Sequence, residues 1–279
     1  MYQRGRLADT TSGEGRYAGQ SHQHSRRVLV DRGAGSVHQE VVVAELGGGG
    51  HVDRHLHAFE EALYVLGGAL TLEVAGSVEQ LVVDDYVFID RGVAHEVHSQ
   101  GSGPASWLEV SAPQPGGDLE DTVFVGRNAP SPDLDTPYLR DHFDVRDLPE
   151  PSSAIGLAGF GNANVGGAAL KVLVGPDTGA SQLNLMVVQY ARGGFISRHD
   201  HAFEEGFLFL EGEIEAELDG EVYRLEAGDY CWSGVRSMHA FTNRAERPVR
   251  WLETQVPQPP SRYQARFVTD WERFVDSAP

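Results

Sequence analysis

The octapeptide RHLHAFEE at residues 54–61 returns as RHDHAFEE at residues 198–205, 144 positions later and with one residue changed. The same shift superimposes about 60 positions without a gap. Gly68 falls on Gly212, Gly76 on Gly220, Asp85-Tyr86 on Asp229-Tyr230 and His95 on His239, and WLEVSAPQP (107–115) falls on WLETQVPQP (251–259). A length of 279 residues is compatible with one large domain or two of ordinary size. A unit this long, present twice, decides for two duplicated domains, because a solenoid needs shorter periods and more copies.

Within each copy the texture is β. Runs such as VVVAEL, ALTLEVAG, LNLMVVQY and EIEAELDGEVYRL alternate apolar with polar residues and are separated by Gly or Asp-Gly turns. LDGEV (218–222) reads as a hairpin. Closely spaced strands without a helical period predict an all-β fold of two antiparallel barrels or sandwiches. The expected layout is a disordered segment over 1–25, an N-terminal barrel over 26–115 and a Pro-, Asp- and Gly-rich linker over 116–165. A C-terminal barrel over 166–279 follows, closing on a short helix in TDWERFVDSA with Thr269 as N-cap.

Composition narrows the function by exclusion. With 22 Lys+Arg against 41 Asp+Glu the net charge is −19, a field that repels phosphate backbones and anionic lipid, so neither nucleic acid nor membrane is an expected partner. Cys231 is the only cysteine, which rules out an intrachain disulfide and a multi-thiolate metal site; on its strand it reads as a small buried hydrophobe. The N-terminus lacks an apolar signal core and no run of 18 apolar residues occurs, so a cytoplasmic protein is expected.

The histidines carry the chemistry. His55, His57 and His95 in the first copy and His199, His201 and His239 in the second occupy equivalent places, and each HxH is followed four residues on by a glutamate, Glu61 and Glu205. Residues two apart on a strand share a face, so each HxH can converge inside a barrel, with the third histidine supplied from another strand. Three imidazoles and a carboxylate suit Fe(II) or Mn(II), with Zn, Ni or Cu also compatible, at one or two ions per chain; Mg and Ca prefer oxygen. Core packing explains two such sets poorly, since buried unpaired imidazoles and carboxylates cost several kcal/mol each. SHQHS (21–25) has no following glutamate and reads as a chance pair. Glu60 and Glu204 lie on the opposite face and are expected to be solvated or paired with arginines such as Arg54 and Arg198.

These motifs resemble those of the cupin superfamily. The first motif, G-x5-H-x-H-x3–4-E-x6-G, is met by Gly49 or Gly50, His55, His57, Glu61 and Gly68, and again by Gly193, His199, His201, Glu205 and Gly212. The second reads Gly228, Gly234, Arg236, His239 and Asn243 in the second copy, and Asp84, Asp90, Gly92, His95 and Ser99 in the first. The resemblance implies a bicupin, two tandem double-stranded β-helix barrels with metal held by the eight His and Glu residues. By analogy with cupins that pair through edge strands, it also implies a homodimer. The overall layout is similar to the ureidoglycine aminohydrolase group. That group's Glu, His, His and Gln ligands to Mn(II) would fall on His199, His201, Glu205 and His239, and its substrate-binding lysine near Gln255.

A three-histidine, one-glutamate set resembles the Fe(II) sites of cupin dioxygenases, so the leading expectation is an oxidoreductase acting on a small oxygen-rich metabolite together with O2. The alternatives are a Mn(II)-dependent hydrolase, isomerase or decarboxylase, and a non-catalytic small-molecule binder. The second copy, with the fuller motif and more aromatic residues, is the expected reaction centre. Asn184, Met186, Phe207, Phe209, Trp232, Phe241, Trp251 and Glu253 are the candidate substrate-pocket residues.

Overall fold

The structure is a computed structural model, and it describes residues 1–116, 121–128, 132, 134, 137–151, 164–260 and 264–268. The chain opens with β1 (Tyr2–Arg6), β2 (Ser12–Gly13) and β3 (Ser21–Val30). The first repeat supplies β4 (Glu40–His57), β5 (Glu60–Gly67), β6 (Ala69–Val74), β7 (Ser77–Val82), β8 (Asp85–Ile89), β9 (His95–Ser99) and β10 (Ala105–Ala112). Between the repeats lie β11 (Thr122–Phe124), β12 (Tyr138–His142) and β13 (Val165–Val174). The second repeat supplies β14 (Asn184–Asp200), β15 (Glu204–Glu211), β16 (Glu213–Leu218), β17 (Glu221–Glu226), β18 (Asp229–Ser233), β19 (His239–Thr242) and β20 (Val249–Val256), and β21 (Arg266–Phe267) follows.

These strands form two barrel-like sheets. Neighbouring strands run β12-β8-β5-β10-β4-β9-β6-β7 in one and β1-β18-β15-β20-β14-β19-β16-β17 in the other. Without the outermost strand of each, the two orders are identical under the repeat. β3 and β11 add to β4, and β13 and β21 add to β14. Alternation builds the cores. Leu70, Leu72 and Val74 of β6, like Ile214, Ala216 and Leu218 of β16, point inward and are fully buried while their neighbours are only partly covered. The expected hairpin is present: Leu218 pairs with Glu221 across Asp219 and Gly220, both at positive φ, as a tight two-residue turn requires.

Asn243 shows how a polar residue can clamp a barrel. Fully buried, it donates through Nδ2 toward the carbonyls of Tyr190, Ala191 and Arg247, and its Oδ1 accepts from the Ala245 amide. Each bend it ties down would otherwise bury an unpaired backbone group.

The chain divides into two compact units, and neither is continuous in sequence. One comprises Met1–Ala8, Arg146–Val172 and Leu185–Pro279, the other Asp9–Val145 and Leu173–Asn184. The N-terminal disorder expected over 1–25 is therefore not what the structure has. β1 pairs with β18 from Tyr2↔Ser233 to Arg6↔Asp229. Tyr2 Oη lies 2.6 Å from Tyr223 Oη, and the Arg4 guanidinium sits 4.0 Å above the Tyr223 ring. A polar segment with no apolar run orders here because a sheet edge satisfies its backbone groups, which segment composition does not reveal. The expected linker likewise supplies β11 and β12 to the first barrel's sheet. The expected closing helix at Thr269 lies outside the described residues. No helix among the described residues is long and apolar enough to cross a membrane.

Candidate metal centres

The long strand β4 ends in its HxH, and β14 ends within its own, with His201 just past the strand end. In both, a β-bulge just before the first histidine shifts register, so that His55 pairs with His95 and His199 with His239. The carboxylate comes from the following strand, β5 or β15. In the second barrel, ligand atoms of His199, His201, Glu205 and His239 all lie within 4.8 Å of one another, and all four residues are buried. Glu205 Oε2 is 2.8 Å from His201 Nε2 and 3.1 Å from His239 Nε2. In the first barrel His55, His57 and His95 converge in the same way. Glu61 faces two of them, 3.5 Å from His57 Nε2 and 3.2 Å from His95 Nε2.

The other ring nitrogen of these histidines sets the tautomer. Nδ1 donates to the carbonyl of Asp53 in His55, of Val93 in His95, of Ser197 in His199, of Phe203 in His201 and of Ser237 in His239, at 2.6–3.0 Å. A carbonyl can only accept, so the proton sits on Nδ1 and Nε2 is left with a lone pair aimed into the site. His57 Nδ1 meets the Thr122 hydroxyl at 3.0 Å instead. His201 Nε2 has no hydrogen-bond partner although it is buried and within 2.8 Å of a carboxylate oxygen. A buried imidazole nitrogen this close to a carboxylate is the environment a cation neutralises, and the donor set fits a divalent transition metal.

Burial lowers His199, His55 and His57 well below the usual imidazole range, which keeps them in the neutral, ligating form. Without a metal, burial opposes charge on both His201 and Glu205, yet each holds the other charged: His201 is raised and the Glu205 carboxyl lies well below the usual carboxylate range, so a proton there takes the place of a cation. For Glu61 burial prevails and its carboxyl is raised.

The surroundings of the two sets differ. In the second barrel His199, Glu205 and His239 open onto a cavity of about 40 Å³ walled by Val188, Ile196, Phe207 and Phe241 together with Tyr190, Trp251, Glu253 and Gln255. Burial and the nearby Glu205 charge push the Glu253 carboxyl up to about 8. Its oxygens accept from Trp251 Nε1 at 3.0 Å and Gln255 Nε2 at 3.1 Å, and Gln255 Nε2 also donates to Glu205 Oε1 at 3.0 Å. The position matching Glu253 in the first barrel is Glu109, which is engaged by Arg26 at 2.6 Å; Arg26 in turn binds Glu40, which also pairs with Arg16. The Tyr17 ring lies against His24, His55 and His57.

Of the expected pocket residues, Phe207, Phe241, Trp251 and Glu253 line the cavity; Asn184, Met186, Phe209 and Trp232 do not. Met186 and Phe209 belong to the apolar core. Trp232 lies on the opposite strand face, where its Nε1 donates to Glu204 at 3.3 Å. Glu204 is thus buried against an indole rather than solvated or paired with Arg198, which reaches Glu217. Glu60 is also buried; it accepts from the amides of Ser181 and Gln182 and pairs with Arg91, not Arg54. Cys231 is fully buried, as expected. Tyr17, Thr122 and Arg26 went unnoticed in the sequence, because they come from segments outside the repeat that carry no motif.

The cupin domain family matches residues 42–111 and 186–254, one match in each repeat. Among curated proteins, polyketide synthase CurC of Streptomyces cyaneus is 30% identical over 96 residues, which are 34% of this chain and 62% of that protein; the chain thus spans about three-fifths of that relative's length. Among solved structures, oxalate decarboxylase from Bacillus subtilis superimposes with a TM-score of 0.65 at 15% identity, covering 98% of this chain and 81% of that one. Protein Ylba from E. coli does so with a TM-score of 0.66 at 14% identity, covering 91% and 90%. Two cupin domains in tandem, each closing a barrel around a buried histidine cluster with a glutamate against it, make this chain a member of the cupin superfamily, a bicupin.

Proposed function

We propose that the second barrel is the reaction centre of a metal-dependent enzyme, an Fe(II) dioxygenase-type oxidoreductase acting on a small oxygen-bearing metabolite. The observation that carries this reading is the buried four-residue cluster in which His201 Nε2 stands 2.8 Å from Glu205, while His199, Glu205 and His239 open onto a mostly apolar cavity. His199, His201, Glu205 and His239 would hold the metal; when bound, it would supply Lewis acidity and open positions for substrate oxygen and O2. The chain's own contribution is positioning and exclusion of water. The Nδ1 bonds to main-chain carbonyls fix the imidazoles, Phe207 and Phe241 keep the cavity dry, and Gln255 ties the Glu205 carboxylate to Glu253. The small cavity volume favours a small substrate.

Elemental analysis of protein purified without added metal, followed by oxygen uptake of the iron-loaded protein on a diketone and catechol panel, tests this. Bound iron with uptake that His199→Ala abolishes is the expected result. Loaded protein that consumes no oxygen across the panel overturns the redox reading.

Glu253 favours a second, non-redox reading with Mn(II). Held neutral by its surroundings around pH 7, it can donate a proton at its carboxyl to a carbanion or enolate formed in the cavity, as a decarboxylation or isomerisation requires. The shared fold with oxalate decarboxylase is compatible with it. Manganese in the purified protein and carbon dioxide release from small dicarboxylates would select this reading.

A further inference from the structure

The first barrel has a group beside its imidazoles that the cupin motif does not supply. Tyr17 ends a short 3-10 turn, Gly15–Tyr17, and is 2% exposed. Its ring is held in one orientation by His24 at 5.2 Å, His55 at 5.1 Å and Phe124 at 6.5 Å, with the Arg26 guanidinium 5.4 Å from its centroid. The phenol oxygen so placed lies 3.5 Å from His57 Nε2. That is poor for a hydrogen bond from a hydroxyl, where about 2.7–3.0 Å is usual. It is right for two atoms sharing an ion: donors about 2.1 Å from one metal stand roughly 3.0–3.5 Å apart at the angles metals adopt. Glu61, which the sequence motif offers as a ligand and which lies just outside the tight cluster of the three histidines, stands at the same 3.5 Å from the same nitrogen.

We propose that Tyr17 is a ligand to the metal of the first barrel, completing a site of His55, His57, Glu61, His95 and one phenolate; this rests on reading that cluster as a metal site. On coordination the phenol loses its proton to solvent and its oxygen takes a position that would otherwise be open to substrate. The neighbouring structure agrees with a closed site. Glu109, the counterpart of the cavity-lining Glu253, is held by Arg26, and Arg26 and Tyr17 pack on one another. The two barrels thereby divide their roles: the first holds a metal with five protein donors and one position fewer for substrate, the second a more accessible one.

The test uses the full chain with the second site disabled by His239→Ala, loaded with iron and oxidised to Fe(III). One iron per chain with a visible tyrosinate-to-iron charge-transfer band is expected, and Tyr17→Phe in the same background should abolish the band and weaken iron retention about tenfold or more. The phenylalanine keeps the ring packing. Resonance Raman of the oxidised His239→Ala protein, in which tyrosinate modes should be enhanced, needs no variant at Tyr17 and stands even if that variant folds poorly. Iron bound without the band, or a band that survives Tyr17→Phe, overturns the phenolate ligand while leaving the histidine site intact. No iron in the His239→Ala protein removes the site itself, and the proposal falls with it.

Discussion

Glu253 is where burial and charge act most visibly on one residue. It sits on the cavity wall and, among the described residues, receives neutral N–H donors from Trp251 and Gln255. Burial, reinforced by the Glu205 charge, pushes its carboxyl from 4.5 to about 8. In the metal-free protein the folded state therefore keeps a proton that the unfolded chain has already released at any pH between these values. A group whose folded pKa is raised contributes stability that is complete below the unfolded pKa and lost as pH rises through the folded one. Thermal unfolding of metal-free wild type should accordingly fall between about pH 4.5 and 8, beyond whatever other groups contribute. Glu253→Gln, which keeps the shape and cannot ionise, should flatten that fall: the variant gains on wild type as pH rises, most at pH 8. Parallel melting curves across the range would show that Glu253 ionises normally.

At the scale of the elements, the turn between β15 and β16 explains a glycine of the cupin motif. Gly212 has φ +77°, and a Cβ there would stand 2.5 Å from the Pro248 carbonyl oxygen and 2.9 Å from Val249 Cα. Both obstacles are backbone, so neither moves cheaply, and the left-handed conformation adds its own cost for a side chain. Gly212→Ala should therefore lower unfolding stability by about 2 kcal/mol or more, read from the urea midpoint, whereas Gly220→Ala, with nothing near its Cβ, carries only the conformational part. Such glycines, the HxH pairs and the succession of short strands were legible in the sequence because the repeat states each of them twice. Depth along a barrel was not legible. Alternation assigns Met186 and Phe209 to the inward face but does not say that they pack in the core away from the cavity. Thr122 and Tyr17 escaped notice for another reason. They belong to short segments whose places are set by pairing and packing against the first barrel, as β11 pairs with β4 beside His55 and His57, and no periodicity within such a segment announces its partner.

For the molecule as a whole, the duplication seen in sequence is not the division seen in space. A cut at the repeat boundaries, giving 26–115 and 166–279, takes from each barrel a segment that its sheet uses. The second barrel loses β1, which covers the outer edge of β18 through five paired residues, and β18 adjoins β15, the strand that carries Glu205. The first loses Tyr17 with β2, the start of β3, β11 and β12, and the Ser181-Gln182 amides that satisfy the buried Glu60 carboxylate. An uncovered strand edge invites pairing with other chains, and a buried carboxylate without donors is strongly destabilising. The fragment 166–279 should therefore aggregate or melt far below the intact protein, and supplying residues 1–8 through a flexible linker to its start should recover a monodisperse species and much of the melting temperature. The gain must come from pairing rather than from added polar sequence, so the same fusion with Gly5→Val, whose side chain would meet the Tyr230 ring at under 3 Å, serves as the control. Size-exclusion chromatography and thermal unfolding of the three proteins decide the matter. If 166–279 alone is as stable as the fusion, β1 is an ornament on the second barrel and the sequence boundaries define the folding units after all. If only the wild-type fusion recovers, the first residues of the chain are a structural part of its last domain.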